Sequence, residues 1–333
     1  MERLHIAIPP DIAAELCLDA ALQPLRGRLL IDAWHGPGRP DQAAIARAAA
    51  DATIIMTGWG TPPLTMLDDW HPTRSPLRLI VHTAGTIKAL VPRAALERGL
   101  AVTTANLSLA EAVAEFTVGL MITARRNLFM VMRRAARGEA AVPLASQREL
   151  RGCTVGIIGA SAIGRRVLHL LRALGVRCLL ADPFCDAATA RTLGAEHCSL
   201  DALLERCEIV SLHAPITPAT VGMLGAAQFA RMRDGALFIN TARGVLIDHD
   251  ALLAELRRGR LLAVLDVTDP VEPLPPDSPF LQLEHCVVLP HMAAVTQEAR
   301  ERQSAMAVAE IGRWLAGEPL AWQVVPAHWD QIA

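Results

Sequence analysis

Apolar residues in this chain gather in short runs that alternate with stretches of helical spacing. The runs at 4–8, 29–33, 54–57, 77–82 and 101–103 have strand length and are mostly apolar. Between them the spacing predicts helices over 11–22 and 92–98. A long helix is predicted over 108–137: Leu109, Val113, Phe116 and Leu120 recur at helical spacing, and Val118, Met121 and Ile122 make it apolar nearly all round. Such a helix lies between domains or subunits rather than on a surface. Residues 138–147 contain Gly and Pro and read as a loop. The alternation then restarts, with strands predicted at 154–158, 177–181, 209–213, 236–240, 261–265 and 287–289, helices between them and a closing helix at 298–317. Alternating strands and crossover helices predict an α/β fold, and six strands in the second part suit a Rossmann-type, doubly wound parallel sheet.

The chain has 333 residues, enough for about two domains. With 52% hydrophobic and 20% charged residues it has the composition of a globular protein, not of a disordered one. The formal net charge is −2 and no basic tract stands out, which argues against nucleic acid as a partner. Lys88 is the single lysine among 32 basic residues and there is no tyrosine, a skew that coding bias explains. Seven cysteines are scattered without C-x-x-C or zinc-like spacing, so reduced thiols, a cytoplasmic location and no metal are expected. His197-Cys198 reads as a loop pair. The first apolar run is too short for a signal peptide, and 107–124, the longest greasy segment, is interrupted by Glu111 and Glu115, so no membrane span is expected.

Chemistry first becomes visible at Gly156-Ile157-Ile158-Gly159-Ala160-Ser161-Ala162-Ile163-Gly164, where a strand runs into a helix. A dinucleotide-binding turn needs glycine where the chain bends and where backbone approaches pyrophosphate, and the helix start then faces the anion. Gly159 and Gly164 fit the first and third glycines, Ser161 stands at the second, and Ala162 and Ile163 open the helix. The Ser161 Cβ crowds that position, while its hydroxyl can donate a hydrogen bond. The following strand ends at Asp182, 18 residues after Gly164. A carboxylate there accepts from ribose hydroxyls and repels a 2′-phosphate, which favours NAD over NADP; a turn-forming aspartate is the plainer reading.

Three later strands end in charged or ionisable residues. Arg243 follows 236–240, Asp266 ends 261–265 with Glu272 six residues later, and His291 follows 287–289. Ligands of open α/β sheets bind beyond the carboxyl ends of strands. An arginine there either caps an ion pair or grips a ligand. A guanidinium can hold a carboxylate bidentately and polarise the adjacent carbonyl, and a protonated imidazole can supply the proton that accompanies a hydride. A neighbouring carboxylate favours the protonated ring and fixes its orientation.

The chain resembles the D-isomer-specific 2-hydroxyacid dehydrogenases over nearly its whole length, most strongly over 102–296, through 156–164, Val210-Ser211-Leu212-His213-Ala214-Pro215-Ile216-Thr217-Pro218, 238–244, 263–273 and 289–294. The resemblance implies His291 as acid/base, Glu272 as its partner, Arg243 as ligand of the substrate carboxylate and carbonyl, and Asp266 as holder of the nicotinamide carboxamide. It implies His213, Ala214 and Pro215 along the adenine side and Thr241-Ala242 beneath the nicotinamide. Ala84, Gly85 and Thr86 match the loop whose N–H groups bind the substrate carboxylate, Trp59-Gly60 a second substrate loop, and Asn106 and Glu115 the entry to the long helix. Trp59 either narrows the pocket or packs its own domain.

The implied architecture is discontinuous, with 1–102 and 297–333 as a substrate-binding lid domain and 103–296 as the NAD-binding domain, hinged at the two crossings. A homodimer through 108–145 is expected. Three departures stand out: Ser161 for the middle glycine, one extra residue between Asp266 and Glu272, and Phe116 where the family often has histidine. The extra residue reads as an insertion before Glu272; otherwise Val271 holds its place and His291 lacks a partner. The expected activity is hydride transfer between NAD(H) and a small D-2-hydroxy acid or 2-oxo acid. The alternative is a non-enzymatic NAD(H)-sensing, co-repressor-like module. Glu272 argues against a third reading, a formate dehydrogenase with glutamine in its place.

Overall fold

The computed structural model describes residues 1–139 and 147–331. Two compact units emerge, one of Met1–Leu109 with Val295–Ala333, the other of Ala110–Ala294. In the first, β1 (Arg3–Ala7), β2 (Leu30–Ala33), β3 (Ile54–Thr57), β4 (Leu79–His82) and β5 (Ala101–Thr104) form a parallel sheet of order β2-β1-β3-β4-β5. Residues 103–109, read from sequence as part of the second domain, stay with this unit. β5 runs on to Thr104 beside β4, and Ser108 O accepts from Arg302 Nε at 3.1 Å, on the closing helix Gln297–Ala316.

The second unit holds β6 (Thr154–Ile158), β7 (Arg177–Ala181), β8 (Ala195–His197), β9 (Ile209–Leu212), β10 (Ala236–Asn240), β11 (Leu261–Leu265) and β12 (Cys286–Val288). All pair in parallel in the order β12-β11-β10-β9-β6-β7-β8. The order reverses between β6 and β9, so their carboxyl ends flank a topological switch point. This sheet has seven strands rather than six: β8 is a three-residue edge strand, and His197 lies on it rather than in a loop. Its burial pattern, one buried residue and two exposed, carries no apolar run for sequence to reveal.

Alternation along the strands builds a core on each sheet face. Leu261, Ala263 and Leu265 join Phe238 on one side of the large sheet, while Val264 joins Ile239 on the other. At the sheet centre a Cβ on Gly156 would stand 2.4 Å from Leu203, so glycine lets the helix Leu200–Arg206 lie against β6.

Both long helix expectations are interrupted. The first becomes Pro10–Glu15 and Leu18–Ala21, broken at Cys17 with φ of 50°; the second becomes Ala110–Arg125 and Leu128–Ala136, broken at Asn127 with φ of 46°. A single left-handed residue ends a helix without any loss of apolar periodicity. The stretch Asn106–Arg125 does have the length and hydropathy of a membrane span, contrary to the sequence reading, but half of it is buried within the protein. Part of the expected loop over 138–147, residues 140–146, lies outside the described residues. All seven cysteines are free thiols.

Phe238 is fully buried and meets Phe229 edge to face at 5.4 Å. Phe238→Ala should cost about 3–5 kcal/mol and lower the urea midpoint without loss of β-sheet signal. An unchanged midpoint would remove this ring from the core.

Candidate functional site

The carboxyl ends of β10, β11 and β12 carry the ionisable residues. Beyond β10 the Asn240 side chain ties its own loop: Ala242 N–H donates to Asn240 Oδ1 at 3.0 Å, and Asn240 Nδ2 donates to Arg243 O at 2.9 Å. Arg243 Nη1 donates to Ala242 O at 2.6 Å, and among the described residues no carboxylate forms an ion pair with it. Burial lowers the Arg243 pKa from the ordinary value, and the Glu272 charge offsets part of that. Gly244 lets the next loop approach: its Cβ would stand 2.3 Å from the Thr268 carbonyl carbon.

That next loop settles which residue meets the histidine. Glu272 Oε1 lies 2.5 Å from His291 Nδ1, and Glu272 Oε2 accepts from Thr268 N–H at 3.1 Å. Thr268 Oγ1 donates to Val271 O at 2.7 Å, so the longer loop folds back on itself and leaves Val271 51% exposed. Nδ1 is the ring nitrogen that faces the carboxylate, so Nε2 is left outside that contact. His291 itself has φ of 54°, a left-handed conformation that a residue with a side chain adopts at some cost.

Asp266, 1% exposed, accepts from Met292 N–H at 2.8 Å and Ala293 N–H at 3.0 Å, one on each carboxylate oxygen. Both of its carboxylate oxygens are thus engaged by the His291 loop. Thr241 Oγ1 lies 3.0 Å from Thr117 Oγ1, which also lies 2.7 Å from Val113 O. Thr117 can donate only once. If it donates to Val113, Thr241 donates to Thr117 and keeps only acceptor capacity.

The glycine turn has the geometry of a dinucleotide cradle. Gly159 has φ of 98°, and its Cβ would stand 2.8 Å from the His213 and Ala214 backbone; a Cβ on Gly164 would stand 2.1 Å from Gly159 O. Ser161 is the N-cap of the helix Ala162–Leu171, its Oγ accepting from Gly164 N–H at 3.2 Å. This leaves the Ala162 and Ile163 N–H groups at the helix start, where an anion is favoured. Asp182 accepts from Ala160 N–H at 2.6 Å and Phe184 N–H at 2.7 Å. His213 is buried beside this turn, with Nε2 2.9 Å from Ser211 Oγ and Nδ1 unpartnered. Ala214 is buried next to it, and Pro215 O accepts from Thr220 Oγ1 at 2.6 Å. These residues fit NAD.

In the other unit, Trp59 and Gly60 follow β3 and Ala84, Gly85 and Thr86 follow β4. Thr104 Oγ1 donates to Ala84 O or Gly85 O, at 3.3 and 3.2 Å, so the backbone carbonyls of this loop are tied down from β5. His82, buried at the end of β4, lies 2.9 Å from Thr57 Oγ1. Sequence reasoning missed Thr268, Asn240, Gly244 and Thr117; only Gly244, directly after a charged residue at a strand end, offered a signal. Among the described residues no group of His, Cys, Asp and Glu is arranged to hold a metal.

Residues 118–293 match the family model "D-isomer specific 2-hydroxyacid dehydrogenase, NAD binding domain". A D-3-phosphoglycerate dehydrogenase of Methanocaldococcus jannaschii is 36% identical over 277 residues, covering 83% of this chain and 52% of that protein. The chain thus spans about half the length of that relative. A glyoxylate reductase of Korarchaeum cryptofilum is 30% identical over 293 residues, 86% of this chain and 87% of that one. Among solved structures, the TT0316 protein from Thermus thermophilus superposes with a TM-score of 0.79 at 30% identity, covering 97% of this chain and 100% of that one. An NAD-complexed D-isomer specific 2-hydroxyacid dehydrogenase of Lactobacillus delbrueckii has a TM-score of 0.81 at 20% identity, over 98% of this chain and 100% of that one, a likeness of fold.

Burial holds His213 down at about 3 and His82 at about 4, against 6.5 for a free histidine. The folded chain therefore binds fewer protons at these rings than the unfolded chain. The stability they confer is complete above about pH 6.5 and is lost as pH falls toward 4 and then 3. The urea midpoint should fall between pH 7 and pH 4.5, and His82→Gln should flatten that fall. A midpoint independent of pH in this window would contradict the buried neutral rings.

Proposed function

The chain belongs to the D-isomer specific 2-hydroxyacid dehydrogenase family, and on that premise we propose that it interconverts a small 2-oxo acid and the corresponding D-2-hydroxy acid with NAD(H). The observation that carries the reading is the 2.5 Å contact between Glu272 Oε1 and His291 Nδ1, on the same unit as the half-buried Arg243. Bound nicotinamide supplies the hydride in reduction and accepts it in oxidation. Arg243 grips the substrate carboxylate and polarises the neighbouring carbonyl. His291 Nε2 delivers the proton to the carbonyl oxygen, and in oxidation the neutral ring takes it back. Glu272 fixes the orientation of the ring through Nδ1. Asp182 accepts from ribose hydroxyls through lone pairs left over from its two backbone bonds. The family resemblance of Trp59-Gly60 and Ala84-Gly85-Thr86 assigns them to substrate binding.

We also propose that two copies pair through the helices Ala110–Arg125 and Leu128–Ala136, where Ile122, Leu128 and Met132 are 42%, 43% and 60% exposed. Residues 140–145 of the expected interface lie outside the described residues. Leu128→Glu combined with Met132→Glu should halve the mass measured by light scattering. A dimer that survives both charges would place the interface elsewhere.

The decisive assay is NADH consumption by the purified protein against glyoxylate, hydroxypyruvate, branched and aromatic 2-oxo acids, with NADPH run beside it. Saturable turnover with NADH in preference to NADPH is expected. His291→Gln should remove roughly 10²–10⁴ of the rate. Full turnover in that variant would overturn the acid/base assignment. Tight NADH binding with no turnover on any acid would favour an NAD(H)-sensing module instead.

A further inference from the structure

The loop that leaves β3 is immobilised on both sides of Trp59. Thr83 donates to Thr57 O twice, from its N–H at 2.8 Å and its Oγ1 at 3.1 Å. A Cβ on Gly58 would stand 2.6 Å from Thr83 Oγ1, so the backbone lies directly against that residue. Thr61 Oγ1 donates to Ala7 O at 2.6 Å and accepts from Gly58 N–H at 3.0 Å. Gly60 has φ of 84°, and its Cβ would stand 2.6 Å from Pro9 Cγ. With the backbone held this way, the indole torsions are the freedom that remains.

Those torsions are restrained by packing and by one cation. The indole packs against the apolar cluster that contains Leu4, Ile6 and Ile8. Arg300, from the first turns of the closing helix, places its guanidinium carbon 4.0 Å from the indole ring centroid. The guanidinium is aimed by two further groups: Nε lies 3.5 Å from Glu15 Oε2, and Nη1 donates to Gln303 Oε1 at 3.4 Å. Gln303 is fully buried, and the Arg300 side chain is only 12% exposed. A planar cation over an indole face is attracted by the ring quadrupole, and the attraction strengthens as water is removed.

We propose that Arg300 is a positioning residue that locks Trp59, and that the locked ring sets the upper size of the substrate side chain. The proposal rests on the reading above that the Trp59-Gly60 loop contacts substrate. A ring free to rotate would yield to a bulky 2-oxo acid, whereas a ring stacked under a tethered guanidinium presents a wall of fixed size. The locked indole therefore favours acids with short side chains.

The test is a selectivity cycle on the full-length protein. Wild type, Arg300→Met, Arg300→Lys, Trp59→Ala and the Trp59→Ala/Arg300→Met double variant are assayed with NADH on glyoxylate and on 4-methyl-2-oxopentanoate. Arg300→Met should raise the kcat/KM ratio of the branched acid to glyoxylate by about tenfold. KM should move more than kcat, and Arg300→Lys should fall between. The double variant should match Trp59→Ala alone, because one residue acts through the other. A merely structural arginine would lower both activities together. Unchanged ratios, or effects that add in the double variant, overturn the proposal. If Arg300→Met does not fold, Arg300→Lys decides by the same ratio. A wild type inactive on every acid overturns the functional reading and this proposal with it, whereas an active wild type with unmoved ratios overturns this proposal alone.

Discussion

A carboxylate buried at the end of β11 must find hydrogen-bond donors or be expelled, and Asp266 finds them in the Met292 and Ala293 N–H groups. The arrangement at the other strand ends depends on that constraint. Two N–H groups pulled toward one carboxylate bend the chain sharply just after His291, which is left at φ of 54°. In that conformation the ring faces Glu272, which is itself held by Thr268 N–H. The positive φ is a cost, and satisfaction of a buried charge holds it in place.

Close backbone approach does comparable work elsewhere in the same unit. Gly244 brings the loop of Arg243 against Thr268, so the guanidinium and the Glu272 carboxylate share one neighbourhood. Gly159 and Gly164 seat the phosphate-binding turn against the His213-Ala214 backbone. Ser161 departs from the family pattern without disturbing this packing, because its hydroxyl caps the helix.

Much of the fold was legible in the chain. The strands Ile54–Thr57, Thr154–Ile158, Arg177–Ala181, Ala236–Asn240 and Leu261–Leu265 stand where the apolar runs predict them. The short edge strand Ala195–His197 was not legible, because an edge strand exposes most of its residues and keeps no apolar run. The helix break at Cys17 was equally hidden, since cysteine announces no left-handed turn, whereas Asn127 is of a residue type that tolerates that conformation. For the candidate site, residue types and their order were readable, while Thr268, Asn240 and Thr117 act through backbone or buried hydroxyl contacts that no spacing announces.

Sequence alone determined the alternation of buried strands and crossover helices, and with it a parallel sheet carrying Arg243, Asp266 and His291 at its carboxyl ends. Burial of a strand on both faces demands a continuous apolar run, and such a run is local. The sequence reads as an insertion before Glu272 with Val271 as the alternative, and tertiary structure puts Glu272 against His291; it alone decided that Asp266 holds the histidine loop and that Trp59 lies beneath Arg300. The first two contacts join residues 19 and 26 positions apart, and the third joins the loop after β3 to the closing helix. Loop geometry and packing at that range depend on the whole fold, so no local pattern encodes them.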